Sequence, residues 1–316
     1  MRMTRTKRQG FLVAAMVFAG LSAPRALEAG QVYLSLGDSV AFGEQTFSDD
    51  PSFGDRGFVK LYADFLATQA GGVRPTVVNL AIDGETSSSF SSGAGRVGPG
   101  PGYSDDLLAS LNLNYDAFNP FPTQQALLIS TILAAHAAGN MIGPVTISLG
   151  ADDLFSLVLS PAFNAPGADQ AGLLTQALTT FAQNEGMLVG LVKALAPEAN
   201  IFLLSSYNPF PGDPSNPFNQ VALPAINGLN GAIHGVADYL KVHYVDLYTP
   251  FFGHESAYTY IADPNYNGNV HPNSLGYSVI VAQIQAVPEP STIVMAFTGA
   301  IGLAFAGRRL RTRSAA

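Results

Sequence analysis

Cysteine is absent from all 316 residues, which rules out a disulfide framework and a thiolate zinc site. Positive charge is almost as scarce through the middle of the chain. Between Gly30 and Ala286 only Arg56, Lys60, Arg74, Arg96, Lys193 and Lys241 stand against 21 acidic residues, a net charge of −15. Six scattered cations build no basic patch, so neither nucleic acid nor an anionic membrane surface is an expected partner. An acidic surface of this kind suits a soluble extracellular protein. No internal repeat is visible. His136, His234, His243 and His254 lack metal-type spacing and are read as surface or structural residues. No cofactor and no resident metal are expected.

The remaining cations lie at the two ends. Arg2, Arg5, Lys7 and Arg8 precede an apolar run from Phe11 to Leu21 and small residues from Ala26 to Ala29. A basic start, a short apolar stretch and a small-residue exit predict a secretory signal peptide over residues 1–29. At the far end, residues 287–316, Val287-Pro288-Glu289-Pro290-Ser291 leads into an apolar run from Thr292 to Ala306 and then Arg308, Arg309, Arg311 and Arg313. The run is short of the roughly 20 residues that a spanning helix prefers, and the arginines would keep its end in the cytoplasm. These three parts, in this order, resemble the PEP-CTERM sorting signal. That resemblance implies processing by an exosortase-type membrane enzyme of a Gram-negative bacterium. The product would reach the cell surface or matrix, held in the membrane by the C-terminal helix either transiently or permanently.

Residues 30–286 are enough for one substantial core. Short runs rich in Val, Ile and Leu predict strands at Val32 to Leu36, Thr76 to Ala81, Val145 to Leu149, Ile201 to Ser205 and Tyr244 to Leu247. Helical patterns follow at Phe58 to Gln69, Thr123 to Ala138, Gln170 to Ala196, Gln220 to Lys241 and Ser274 to Gln285. Strands that each precede a helix predict an α/β fold, a parallel sheet buried between two helix layers. Ligands bind such sheets outside the carboxyl ends of the strands. The candidate chemistry stands at that edge: Ser39 after the first strand, Gly84 after the second, Asp152 after the third, and His271 just before the last helix. A serine on a turn at a strand end is a candidate nucleophile, and His271 is its natural base. Asp38 is read as bracing that turn.

Gly37-Asp38-Ser39, Asn79-Leu80-Ala81 through Gly84-Glu85-Thr86, Gly150-Ala151-Asp152-Asp153 and His271-Pro272-Asn273 with Gly276-Tyr277 together resemble the blocks of the SGNH hydrolases, the GDSL esterase/lipase family. The resemblance covers essentially the whole of residues 30–286. It implies a three-layer α/β/α fold with a five-stranded parallel sheet of flavodoxin-like order. Ser39 would be the nucleophile and His271 the base, with an oxyanion hole made from the N–H groups of Ser39 and Gly84 and from position 152.

Two positions depart from that pattern. Where the family carries an oxyanion-donating Asn, this chain has Asp152, and an ionised carboxylate only accepts. A protonated Asp152 would donate. The family's triad Asp stands three residues before the His, and that position is Gly268 here. Asp263, eight residues upstream of His271, is the nearest carboxylate and the candidate orienter. Asp263 to Gly268 also begins like a calcium loop, but Ser274 at the twelfth place removes the bidentate carboxylate, so the run is read as a polar turn. The expectation is an exported serine esterase acting on carboxylic esters, acylated polysaccharide or lipid. The alternative is a surface or matrix protein that keeps the fold but has lost the oxyanion donor.

Overall fold

Alternate burial along the strands sets up the architecture. Along β1 (Gln31–Gly37), Val32, Leu34 and Leu36 point to one face of the sheet and Tyr33 to the other, and all four are buried. A strand that is apolar on both faces needs cover on both. The computed structural model describes residues 30–44, 56–98, 104–105, 112, 123–210, 217–265 and 269–287. Strands β2 (Thr76–Asn79), β3 (Met141–Ser148), β4 (Asn200–Leu204) and β5 (His243–Val245) join β1 in one parallel sheet of order β2-β1-β3-β4-β5. This is the flavodoxin-like order, whose ligand crevice opens at the switch point between β1 and β3.

Ten helices are described: α1 (Ser39–Phe42), α2 (Gly57–Gln69), α3 (Ser89–Ser92), α4 (Gln124–Ala137), α5 (Ala151–Val158), α6 (Gln170–Leu195), α7 (Pro217–Leu240), α8 (Tyr248–Phe251), α9 (Glu255–Tyr258) and α10 (Ser274–Ala286). One core cluster packs α4, α6 and α7 on the Val32–Leu34–Leu36 face. The other packs α2 and α10 on the Tyr33 face. Caps fix the helix starts: Thr123 accepts from the Ala126 N–H, Asp169 from the Gly172 N–H, and Asn273 from the N–H groups of Leu275 and Gly276.

Two details differ from the sequence pattern. β3 begins at Met141, four residues before Val145, because Gly143 and Pro144 are accommodated as a bulge opposite β1, where the register shifts between Val32 and Leu34. The short helix α5, with Asp152 and Asp153 in its first turn, has too few residues for a periodic signal. Among the described residues no helix is long and apolar enough to cross a membrane. The expected signal peptide and the run from Thr292 to Ala306 lie outside the described residues.

Candidate active site

The turn after β1 is braced from several sides. Gly37, at φ +138, passes so close to β3 that a Cβ would lie 2.0 Å from the Ser148 carbonyl oxygen, which only glycine allows. The buried Gln124 side chain clamps the same residue, accepting from the Gly37 N–H at 2.7 Å and donating to its carbonyl at 3.0 Å. The Asp38 N–H donates to Ser148 O at 2.9 Å, and Asp38 Oδ1 accepts from the Val40 N–H at 3.1 Å. Ser39 thereby opens the single turn of α1, and Asn79 Nδ2 donates to Ala41 O to close it against β2. The Ser39 side chain makes no hydrogen bond with any described residue, and it lines a cavity of about 250 Å³.

His271 lines the same cavity. Its loop is pinned by the donation of the Tyr260 N–H to His271 O at 3.1 Å and of the Tyr207 hydroxyl to Val270 O at 2.9 Å. Asn269 Oδ1 lies 2.8 Å from His271 Nδ1 and also accepts from the His271 backbone N–H at 2.8 Å. A carbonyl-type acceptor at Nδ1 selects the Nδ1–H tautomer and leaves Nε2 as the basic nitrogen. Burial lowers the His271 pKa below 6.5, opposed by the nearby Asp83 charge. The ring is thus neutral at pH 7, as a general base must be. No hydrogen bond joins Nε2 to Ser39 Oγ; Nε2 lies 3.5 Å from Glu44 Oε2.

Asp263 does not hold the ring. Its carboxylate accepts from the Asn265 N–H and side-chain amide at 2.9 and 3.0 Å, within its own turn. The side chain that meets His271 Nδ1 is that of Asn269 rather than Asp263. The sequence signal was faint, because an Asn two residues before a His resembles any polar loop.

Of the three positions expected to face the oxyanion, Ser39 and Asp152 line the cavity. Gly84 stands just outside its wall, with its N–H toward the Asp83 carboxyl. Gly84 is fixed otherwise: at φ +73 its carbonyl accepts from the Val97 N–H at 2.8 Å, and a Cβ there would meet Val97 O at 2.0 Å.

The cavity floor is a set of carboxyl groups. Asp38 is pushed up to about 7, first by burial. Asp152 is held well above the usual carboxylate range, first by burial, then by the charges of Asp38, Asp83, Asp153 and Glu44. Asp153, in the next helical position, has its carboxylate on the Ser87 N–H and hydroxyl at 2.8 and 2.6 Å. Desolvation with like charges alongside disfavours the ionised form of the Asp152 carboxyl at the cavity.

Asp83 and Glu44 form a second pair, hydrogen-bonded to each other. Burial raises both, and Asp83 reaches about 7, pushed further by the charge of Glu44 and the bond to it. With His271 they bring one donor atom each within 4.8 Å of one another. A shared proton accounts for the approach of the two carboxyls, and no metal is assigned to the group. Glu44 lies outside every block that the sequence marks as chemical, and Asp83 lies within the second block, next to Gly84, without having been singled out there.

Beyond this polar end the cavity is apolar. Leu154, Phe155 and Val158 of α5 face Ala222, Ala225 and Ile226 of α7, with Phe210 alongside.

The profile of the GDSL-like lipase/acylhydrolase family matches residues 35–279, and the PEP-CTERM protein-sorting motif matches residues 286–309. The sorting motif marks the chain for export to the cell envelope or surface. No curated protein gives a match. Among solved structures, the fold is similar to that of the lipase Lip_vut3 from a goat rumen metagenome (20% identity, 81% of this chain and 96% of that one, TM-score 0.54). It is also similar to a mutant of Axe2, an acetyl-xylooligosaccharide esterase from Geobacillus stearothermophilus (15% identity, 82% and 94% covered, TM-score 0.50). With its five-stranded parallel sheet and a profile match over most of its length, the chain belongs to the GDSL-like lipase/acylhydrolase family.

Proposed function

We propose that this chain is an exported serine hydrolase of carboxylic esters, working through an acyl-enzyme on Ser39. In this reading residues 1–29 are removed on export, residues 30–286 form the hydrolase domain, and residues 287–316 are processed by an exosortase-type enzyme. The observation that carries it is the meeting of Ser39, a neutral His271 and Asp152 around one cavity. His271 Nε2 takes the Ser39 proton as Oγ attacks the ester carbonyl, and returns it to the leaving alkoxide. The developing oxyanion is met by the Ser39 N–H and the protonated Asp152. Water, deprotonated by His271, then releases the acid. The sequence of events demands a rotation or approach that brings Nε2 from Glu44 to Ser39, as hydrogen bonds of this kind tighten with substrate bound.

A serine-directed fluorophosphonate tests the reading without the natural substrate. Incubation of the full chain should add one phosphonyl group at Ser39, located by peptide mass spectrometry, and Ser39→Ala should take up none. An unlabelled wild type would favour the second reading, a surface protein that has given up catalysis, for which the replacement of an amide by Asp152 is the specific observation.

The apolar walls of α5 and α7 favour the acyl side of the ester over a sugar. Each methylene buried there contributes about 0.8 kcal/mol. Hydrolysis of p-nitrophenyl octanoate should therefore exceed that of the acetate by at least about tenfold in kcat/KM, and Ala225→Phe, which fills the wall, should reverse the order. Equal rates on the two esters would remove the fatty-acyl preference and leave acylated polysaccharide as the substrate class.

A further inference from the structure

The chain has no carboxylate where a triad would place one. Asn269 is a neutral acceptor at Nδ1: it sets the tautomer but supplies no charge to the imidazolium that forms when Nε2 takes the serine proton. Burial works against that imidazolium, so a compensating charge has to come from another direction.

It is available on the Nε2 side. Glu44 Oε2 lies 3.5 Å from His271 Nε2, and Asp83 completes a group whose donor atoms are all within 4.8 Å of one another. Glu44 is firmly placed: its N–H donates to Ser39 O at 3.0 Å and its carbonyl accepts from the Tyr277 hydroxyl at 2.6 Å. We propose that the Glu44–Asp83 pair supplies, from the Nε2 side, the negative charge that stabilises protonated His271, in place of a triad carboxylate at Nδ1. This rests on the reading of His271 as the base of Ser39.

The two carboxyls share one proton through the hydrogen bond between them, and the pair carries a single negative charge near neutral pH. That has a consequence a single positioning carboxylate would lack. Removing either member leaves the other ionised, relieved of its neighbour's repulsion, and the charge beside His271 survives. Only removal of both discharges the site. The other titratable groups round the ring are Asp38 and Asp152 on the cavity wall and Tyr207, whose hydroxyl is committed to Val270 O. Arg56 acts on Glu44 and stacks over Phe42 at 3.9 Å. Burial raises Asp38 to about 7 and holds Asp152 well above the usual carboxylate range, and both side chains are present whether or not the pair is removed.

The test is a four-variant cycle on the full-length chain with two readouts: the His271 imidazole pKa by NMR titration, and the acid limb of kcat/KM for an ester. Glu44→Gln and Asp83→Asn should each lower the His271 pKa by a few tenths of a unit and kcat/KM by about two- to threefold. Glu44→Gln/Asp83→Asn together should lower the His271 pKa by about one unit, move the acid limb down with it and lower kcat/KM about tenfold. Adding Asn269→Asp to the double variant should bring both back, which excludes misfolding as the cause. An unmoved His271 pKa in the double variant overturns the proposal, as does a pair of single-variant losses that simply add. The NMR readout stands without turnover. A wild type that shows the predicted titration but no Ser39-dependent hydrolysis therefore sinks the esterase reading and upholds the charge assignment.

Discussion

Ser39→Ala should lower ester hydrolysis by about four to six orders of magnitude, to the level of the buffer reaction, while leaving the fold untouched. The second half of that statement gives the first its force. Ser39 is buried at the start of α1, yet its side chain makes no hydrogen bond with any described residue. Everything that shapes the turn uses other groups: the amide of Gln124, the carboxyl of Asp38, the backbone of Gly37 and Ser148. Alanine therefore removes one oxygen and no hydrogen bond to a described residue, and the melting temperature should stay within about 2 °C of wild type. A hydroxyl buried at a site assembled around it, and hydrogen-bonded to no described residue, has its reason in a reaction. Ester hydrolysis that persists in Ser39→Ala, with wild-type kcat/KM, would mean that the activity arises elsewhere and would end the assignment.

The parts of this site that were legible in the sequence are those written as local patterns. Each β-strand is a short apolar run bounded by glycine or polar residues, so the strand ends, and with them Ser39, Asp152 and His271, could be placed on one edge before any coordinates. The pieces that could not be read are brought in by the fold. Gln124 sits 87 positions from Gly37 and clamps both its backbone groups. It lies at the start of α4, where a polar residue looks like ordinary helix surface. Glu44 and Asp83 belong to separate loops and meet only because β2 lies beside β1 in the sheet. Asp263 failed as an orienter for a related reason. Proximity in sequence made it the natural choice, but its carboxylate is closer still to Asn265 and closes a turn. Gly84 was read as an oxyanion donor through its N–H, and its backbone freedom is used to pass Val97 rather than to open onto the cavity.

Asp152 is where the chain departs most sharply from an amide-based oxyanion hole, and its titration should be visible in the rate. Asp152→Ala should cost about 10²–10³ in kcat at neutral pH, the usual consequence of losing one oxyanion donor. The sign of the pH dependence follows from the direction of the shift. Burial, with Asp38, Asp83, Asp153 and Glu44 around it, raises the Asp152 pKa, so the donating O–H is present below that raised value. It is lost as pH climbs through it. Above that point a carboxylate faces a developing oxyanion, and donation turns into repulsion. The acid side is set by His271, whose pKa burial lowers from the usual imidazole value. Wild-type kcat/KM should therefore be bell-shaped, with an acid limb from His271 and an alkaline limb from Asp152. Asp152→Asn separates the donor from the charge. The amide donates at every pH, so the alkaline limb should vanish while activity at neutral pH stays within about tenfold of wild type, the spread allowed by a change of donor strength. If Asp152→Ala instead equals wild type across the whole profile, Asp152 plays no part in the reaction. If Asp152→Asn and Asp152→Ala are both faster than wild type at pH 7, the carboxyl is ionised there and restrains a site that would work better without it. Only the first pattern, loss with Ala and a flattened alkaline side with Asn, is consistent with a neutral acid serving where an amide is usual.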